Sequence, residues 1–142
     1  MAKDNRDILA VLKSELNFLE QGGYAKNKHN AWRPIFLFED SPTCLNYNDQ
    51  SRPYPCKDCV LLQLLPPERR SEGVPCRYIV LNEEGQTIEG LYRTATQPEL
   101  EWGFMKWLRT TIKRLEKARN MLGDRRNQVP RTDDKAYQPR TC

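Results

Sequence analysis

The sequence contains one histidine, His29, among 142 residues. A nucleophile of the Ser-His-Asp or Cys-His type would therefore depend on His29 as its base, and no motif surrounds that residue. Glycine-rich phosphate-binding patterns are also absent. The paired carboxylates Glu39 and Asp40 could perform acid–base chemistry, but Asp40-Ser41-Pro42 is typical of a turn. The sequence leaves enzyme activity undecided and favours a non-catalytic protein.

Long apolar runs are absent as well. No stretch of eighteen apolar residues occurs, which predicts that no segment spans a membrane. The first residues, MAKDNRDILAVLKSE, are charged and lack the apolar core of a signal peptide. We therefore expect a cytoplasmic protein, in which reducing conditions oppose structural disulfides. The five cysteines, an odd number, also fit a disulfide framework poorly.

The net charge of +4 is unevenly distributed along the chain. Residues 106–142 contain eleven Lys or Arg and four Asp or Glu, whereas residues 1–105 contain twelve and fifteen. A mildly acidic body therefore carries a basic C-terminal third. This asymmetry indicates an acidic partner for that end of the chain, either nucleic acid or protein.

Two helices are predicted, at about 5–20 and 97–122. Asp4 or Asn5 is expected to cap the first, and Gly22-Gly23 to end it. Each helix carries an apolar seam with steps of three and four residues, made of Leu9, Leu12, Leu16 and Leu19 in the first and Met105, Leu108, Ile112, Leu115 and Leu122 in the second. We expect these seams to pack on a sheet or on each other, with a homodimer through them as the alternative.

Local signals define the second helix more sharply. Thr96 and Glu99 form a capping-box pattern, and Pro98 falls in the first turn, where its missing N–H donor is harmless. Gly123 is expected to end the helix. We therefore predict one small domain over residues 1–123, followed by a basic, disordered tail over residues 124–142.

Two segments resemble β-structure. Ile35–Phe38 is a short apolar run, which predicts a strand at about 34–39. Residues 76–93 place two apolar segments around Asn82-Glu83-Glu84-Gly85, which predicts a hairpin. The predicted fold class is α+β: a small antiparallel sheet, a metal-tied loop region and two flanking helices.

Four cysteines lie in a loop-rich region, residues 44–76, which contains few apolar side chains. The spacing is Cys44-x11-Cys56-x2-Cys59-x16-Cys76. A C-x-x-C turn directs two thiolates at one ion, and its amide N–H groups stabilise the sulfur charge. A region this long without an apolar core needs another organiser. We predict a structural zinc ion held by these four cysteines, and a free thiol at Cys142.

Alternatives to zinc use the same residues. A four-cysteine iron–sulfur cluster requires the same ligands, and would make the protein an electron carrier or redox sensor. A C-x-x-C redox pair or ordinary buried cysteines are further alternatives. His29 could replace one cysteine as a ligand, although four cysteines already complete a tetrahedral set.

The second helix also carries a basic stripe at steps of four and three residues: Trp102, Lys106, Arg109, Lys113 and Lys117. Such a face suits the phosphate backbone of a nucleic acid or an acidic protein surface. The alternative is that the stripe is an ordinary solvated face. The sequence thus predicts a small non-catalytic zinc-stabilised regulatory or adaptor protein that contacts an acidic partner through this helix and tail.

Overall fold

The computed structural model describes residues 4–26 and 35–128 of the chain. In these residues the α-helices are α1 (Ile8–Glu20), α2 (Gly23–Lys26), α3 (Ile88–Thr94) and α4 (Gln97–Gln128). Between α2 and α3 lie short 3₁₀ helices at Cys56–Asp58, Val60–Leu64, Pro67–Arg69 and Pro75–Tyr78. Among the described residues, no helix is long and apolar enough to cross a bilayer.

Helix α1 begins and ends on local signals. The Asp7 carboxylate accepts a hydrogen bond from the N–H of Ala10 at 3.1 Å, so Asp7 is the cap rather than the predicted Asp4 or Asn5. Gly22 ends the helix with φ of +73°, a left-handed conformation that glycine adopts without strain.

Helix α4 begins at the predicted capping box. The N–H of Glu99 donates to the Thr96 hydroxyl at 3.2 Å, and the N–H of Thr96 donates to the Glu99 carboxylate at 2.9 Å. The predicted stop at Gly123 was wrong, because the helix continues to Gln128. Glycine lowers the stability of a helix interior by only about 1 kcal/mol relative to alanine, which flanking helix-forming residues can offset.

The core forms where α1 packs against α4. Most of the residues in the two predicted seams are buried there, so these side chains pack within one chain, and the homodimer alternative stays a prediction. Leu122, at the end of the second seam, is instead 52% exposed. Among the described side chains, the buried apolar ones of the two helices are Ile8, Leu9, Val11, Leu12, Leu19, Leu100, Phe104, Leu108 and Ile112.

The predicted α+β fold class was wrong, because the described part of the chain is helical and contains no β-strand. The strand expected at about 34–39 is a turn over the residues described. Phe38 adopts φ of +68°, and the Asp40 carboxylate accepts from the N–H of Phe36 at 2.7 Å. Leu37 and Phe38 are both buried in this turn.

The hairpin expected at about 76–93 was also wrong, although its turn is present. Only an isolated antiparallel bridge joins Val80 to Thr87 in the described part, around a turn in which Gly85 has φ of +80°. The Thr87 hydroxyl accepts from the N–H of Gly90 at 3.0 Å and caps α3. Ile88, Leu91 and Tyr92 then recur at helical spacing, because the second arm has a period of 3.6 rather than 2.

Candidate metal centre

Cys44, Cys56, Cys59 and Cys76 line one small cavity of about 30 Å³. They are brought to it by three segments: the loop after Thr43, the 3₁₀ helix Cys56–Asp58 with the residue that follows it, and the 3₁₀ helix Pro75–Tyr78. All four are free thiols and all four are partly buried. All four predicted ligands therefore lie among the residues that line this one cavity.

The four thiols share the cavity without yet forming a coordination shell. In the part of the chain that the structure describes, no three His, Cys, Asp or Glu side chains have the geometry of a metal site. The cavity wall is otherwise largely apolar, with contributions from Phe38, Leu61 and Leu62. An apolar wall strengthens electrostatic attraction between a cation and thiolates, since it excludes water.

Three of the sulfurs already receive N–H groups. The N–H of Leu61 donates to Cys59 Sγ at 3.4 Å, and Arg52 Nη2 donates to Cys56 Sγ at 3.5 Å. Cys44 accepts from the backbone of Asn46, two residues further along the chain. Such donors stabilise negative charge on sulfur, and thus favour the thiolate form that binds metal.

Burial has the opposite effect on these thiols. Desolvation raises the pKa of Cys44 and of Cys59, and it raises the pKa of Cys76 well above its usual value. The Glu39 carboxylate and the other three thiols raise the pKa of Cys76 further. A divalent cation in the cavity would reverse this balance, because a coordinated thiol loses its proton.

The loop between Cys44 and Cys56 is closed by one side chain. Asn46 accepts from the N–H of Tyr54 at 2.9 Å and donates to its carbonyl at 2.8 Å. This pair of hydrogen bonds holds the two cysteine segments together in a region with few apolar contacts.

Glu39 is held in an ion pair. Its carboxylate accepts from Arg77 Nε at 2.7 Å and Nη2 at 3.0 Å, a bidentate ion pair that links the Cys44 and Cys76 segments. The Arg77 guanidinium also lies 4.1 Å from the ring centroid of Phe36. Asp40 supports its own turn, as the sequence favoured.

Asp4 and Arg6 fasten the N-terminal segment to both sides of the site. The Asp4 carboxylate accepts from the N–H of Val60 at 3.0 Å and from Arg6 Nε at 2.9 Å. Arg6 Nη1 in turn donates to the Thr43 carbonyl at 2.7 Å. The N-terminal segment thereby joins Thr43, which precedes Cys44, to Val60, which follows Cys59. The bonded residues are 37 and 56 positions apart in the sequence, so no local pattern predicts these contacts.

We expect Asp4→Asn to lower the free energy of unfolding by about 1–2 kcal/mol at neutral pH. Arg6 holds the pKa of Asp4 down, at about 2 instead of 3.8. A carboxylate with a lowered folded-state pKa stabilises the fold above its unfolded value, and this contribution is lost as pH falls from 3.8 toward 2. Urea titrations of both proteins should therefore converge in that window; a constant difference would contradict the assignment.

A buried carboxylate, Glu15, holds the segment that precedes Cys44. Its Oε1 accepts from the Ser41 and Thr43 hydroxyls, each at 2.6 Å, and its Oε2 accepts from the Tyr24 hydroxyl. Burial raises the pKa of Glu15, while these hydroxyls oppose the shift. Glu15 lies on the leucine face of α1. A charged residue in that position indicates, from the sequence alone, that a buried polar partner must be present.

The basic stripe is separate from the cavity. Trp102 is 57% exposed, and Lys106, Arg109, Lys113 and Lys117 are exposed too. Arg109 differs from the others, since it donates to Glu20 of α1 at 2.8 Å. The stripe is therefore a surface of α4 on which three lysines, and not Arg109, have no ion pair among the described residues.

His29, the alternative ligand, and Cys142 with residues 129–142 of the tail lie outside the described residues. Neither a protein-family model, nor a curated protein, nor a solved structure matches this chain.

Proposed function

We propose that this protein is a small non-catalytic module stabilised by one zinc ion on Cys44, Cys56, Cys59 and Cys76, with a regulatory or adaptor role. The observation that carries this proposal is the meeting of these four cysteines, from three separate segments, at one small cavity. Four thiolates complete a tetrahedral shell and leave no position for substrate, so the ion serves structure.

The small cavity supports a single ion over the iron–sulfur alternative. A water-sized sphere needs about 10–15 Å³, so a cavity of about 30 Å³ has room for two or three such spheres. Either centre requires the thiols to move into coordinating positions, and a cluster of several irons and sulfides requires the larger movement. N–H groups directed at three sulfurs suit either centre.

The role outside the metal centre is contact with an acidic partner. Helix α4 presents a cationic face away from the cavity, and the sequence beyond it is basic. A cytoplasmic, reducing location is part of the proposal, since it keeps the four thiols available for metal.

Elemental analysis of protein purified anaerobically, without a histidine tag, tests the metal. We expect about one zinc per chain, a colourless solution and loss of structure with a chelator. A brown solution with a visible absorption band would identify the iron–sulfur alternative. Metal-free protein with an unchanged melting temperature would contradict both.

A further inference from the structure

The cations of α4 divide into two groups. Arg109 pairs with Glu20 and Arg119 pairs with Asp7, so both fasten α4 to the α1 side of the molecule. Lys106, Lys113, Lys117 and Arg114 have no carboxylate partner among the described side chains, and Arg114 lines the groove described below. The three lysines share one line on the helix. At 3.6 residues per turn they lie within about 40° of one another on the helix surface, in a row about 16 Å long. We call these three residues the lysine row.

An exposed indole stands at the start of this row. Trp102 is 57% exposed, and Lys106 Nζ lies 5.6 Å from the centroid of its ring. The indole has no aromatic partner within the described residues. A large apolar ring held against a cation on a polar surface is the arrangement on which an unpaired base can stack.

A groove of about 620 Å³ runs beside the lysine row, between α4 and the turn at residues 82–84. Trp107, Lys106 and Arg114 line its α4 side, and Gly103 lies between Trp102 and Trp107. A Cβ at Gly103 would meet no other atom within 4 Å, so packing within the protein does not require a glycine there. An interior helical glycine without a packing reason suits close approach of a ligand to the backbone.

We propose that this surface binds single-stranded nucleic acid, with phosphates on the lysine row and unpaired bases on Trp102 and in the groove over Gly103. This inference names the acidic partner in the proposed function, and it rests on that function because the zinc-stabilised chain must be folded to present this surface. The cations complement the negative charge of the phosphates. The exposed indole can stack on an unpaired base, whereas the bases of a duplex are already stacked on one another. Glu83 and Glu84 line the opposite wall of the groove. Because carboxylates repel phosphates, the proposal places uncharged bases, and not phosphates, beside them.

A membrane surface fits these residues less well. The apolar face of α4, with Leu100, Phe104 and Leu108, is buried against the core and cannot enter a bilayer. An acidic protein would also satisfy the lysines and cover the indole, whereas a glycine in the groove wall suits a flat base that approaches the backbone.

Fluorescence anisotropy with labelled single-stranded RNA and DNA 12-mers, at two salt concentrations, tests the proposal. We expect Lys106→Gln, Lys113→Gln and Lys117→Gln together to weaken binding at least tenfold and to reduce the salt slope by about 2. The matched control changes Arg69, Arg70 and Arg93 to glutamine, three exposed cations outside α4 whose partners are Glu72, the Leu65 carbonyl and Glu89. Equal weakening by the control would reduce the effect to net charge and overturn the site.

Two further variants separate binding from folding. Trp102→Ala should weaken binding roughly 5- to 100-fold, and Trp102→Phe should retain most of it. Gly103→Gln should weaken binding while raising the melting temperature, because glutamine is the better helix former and space is available. Unchanged binding by either Trp102→Ala or Gly103→Gln would overturn the proposed base contacts.

Zinc content measured on the same samples distinguishes the two proposals. Zinc-loaded protein that ignores both oligonucleotides at low salt would overturn the nucleic-acid inference and leave the metal proposal intact. Oligonucleotide binding by protein that was purified anaerobically, contains no zinc and keeps its melting temperature would overturn the metal proposal and leave the nucleic-acid inference intact. Duplex bound as tightly as single strands, or polyglutamate bound as tightly as either, would also overturn the inference.

Discussion

Replacing Cys76 by serine is expected to reduce zinc affinity at least a hundredfold and to destabilise the protein by several kcal/mol. A serine hydroxyl remains protonated at neutral pH, so the ion would keep three thiolates and one weak ligand. Structural zinc contributes on the order of 10 kcal/mol to the folding of small modules. Here α1 and α4 have an apolar core of their own, and the expected loss is therefore only part of that value.

The loss should be local to the cysteine segments. Residues 44–76 contain 3₁₀ helices and turns, whereas α1 and α4 are held by buried side chains. Amide hydrogen exchange in Cys76→Ser should rise between residues 44 and 80 and remain low in the middle of α4. Cys142→Ser is the matched control and should retain zinc and melting temperature. Retention of zinc by Cys76→Ser would contradict the assigned ligand set.

Replacing Glu15 by glutamine is expected to lower the free energy of unfolding by about 3 kcal/mol at pH 5. The carboxylate accepts from the hydroxyls of Tyr24, Ser41 and Thr43 in a fully buried position. A glutamine NH₂ group has only donor protons, whereas the oxygen that it replaces accepts a hydrogen bond in either protonation state, so at least one of the three hydroxyls loses its acceptor. The segment entering Cys44 would then lose its anchor, and we expect weaker zinc binding as well.

The effect should depend on pH in a defined direction. Burial raises the pKa of Glu15 above its ordinary 4.5, so the folded state holds this proton more tightly than the unfolded state. Stability from the protonated form is complete below pH 4.5 and declines as pH rises through the folded-state pKa. The stability difference between wild type and Glu15→Gln should therefore shrink as pH rises from 4.5.

Glu20→Gln provides the control for this prediction. Glu20 lies on the same helix, but it is exposed and its ion pair with Arg109 is at the surface. Such pairs contribute about 0–1 kcal/mol, so the variant should melt close to wild type at every pH. A stability difference for Glu15→Gln no larger than that for Glu20→Gln would contradict a structural role for the buried carboxylate.

Features set by neighbouring residues were predictable from the sequence. The capping box at Thr96 and Glu99, the left-handed Gly22 and the leucine face of α1 depend on contacts within one or two helical turns. Periodicity failed where a segment was short. The turn before Ile88 predicts that residues 88–92 form the second strand of a hairpin. The apolar residues of this segment nevertheless recur with the period of a helix.

Contacts between distant segments could not be predicted in the same way. The partners of Asp4, Glu15 and Glu39 lie 26 to 56 residues away, except for neighbours such as Arg6 and Tyr24. A charged residue on an apolar face shows that a partner must exist, but not which one. The same limit applied to Arg109, whose pairing with Glu20 depends on how α1 and α4 pack.

The sequence by itself determined the spacing of the four cysteines, the two long helices and the cationic face of α4. Each of these features depends only on residues that are close to one another in the sequence. Only the tertiary structure decided that the fold is helical, that the four thiols line one cavity, and that Arg109 and Arg119 of α4 are paired while the three lysines of the lysine row are not. Those outcomes depend on how segments that are distant in the sequence pack together. Packing decides which charged side chains find a partner and which surfaces remain exposed to solvent.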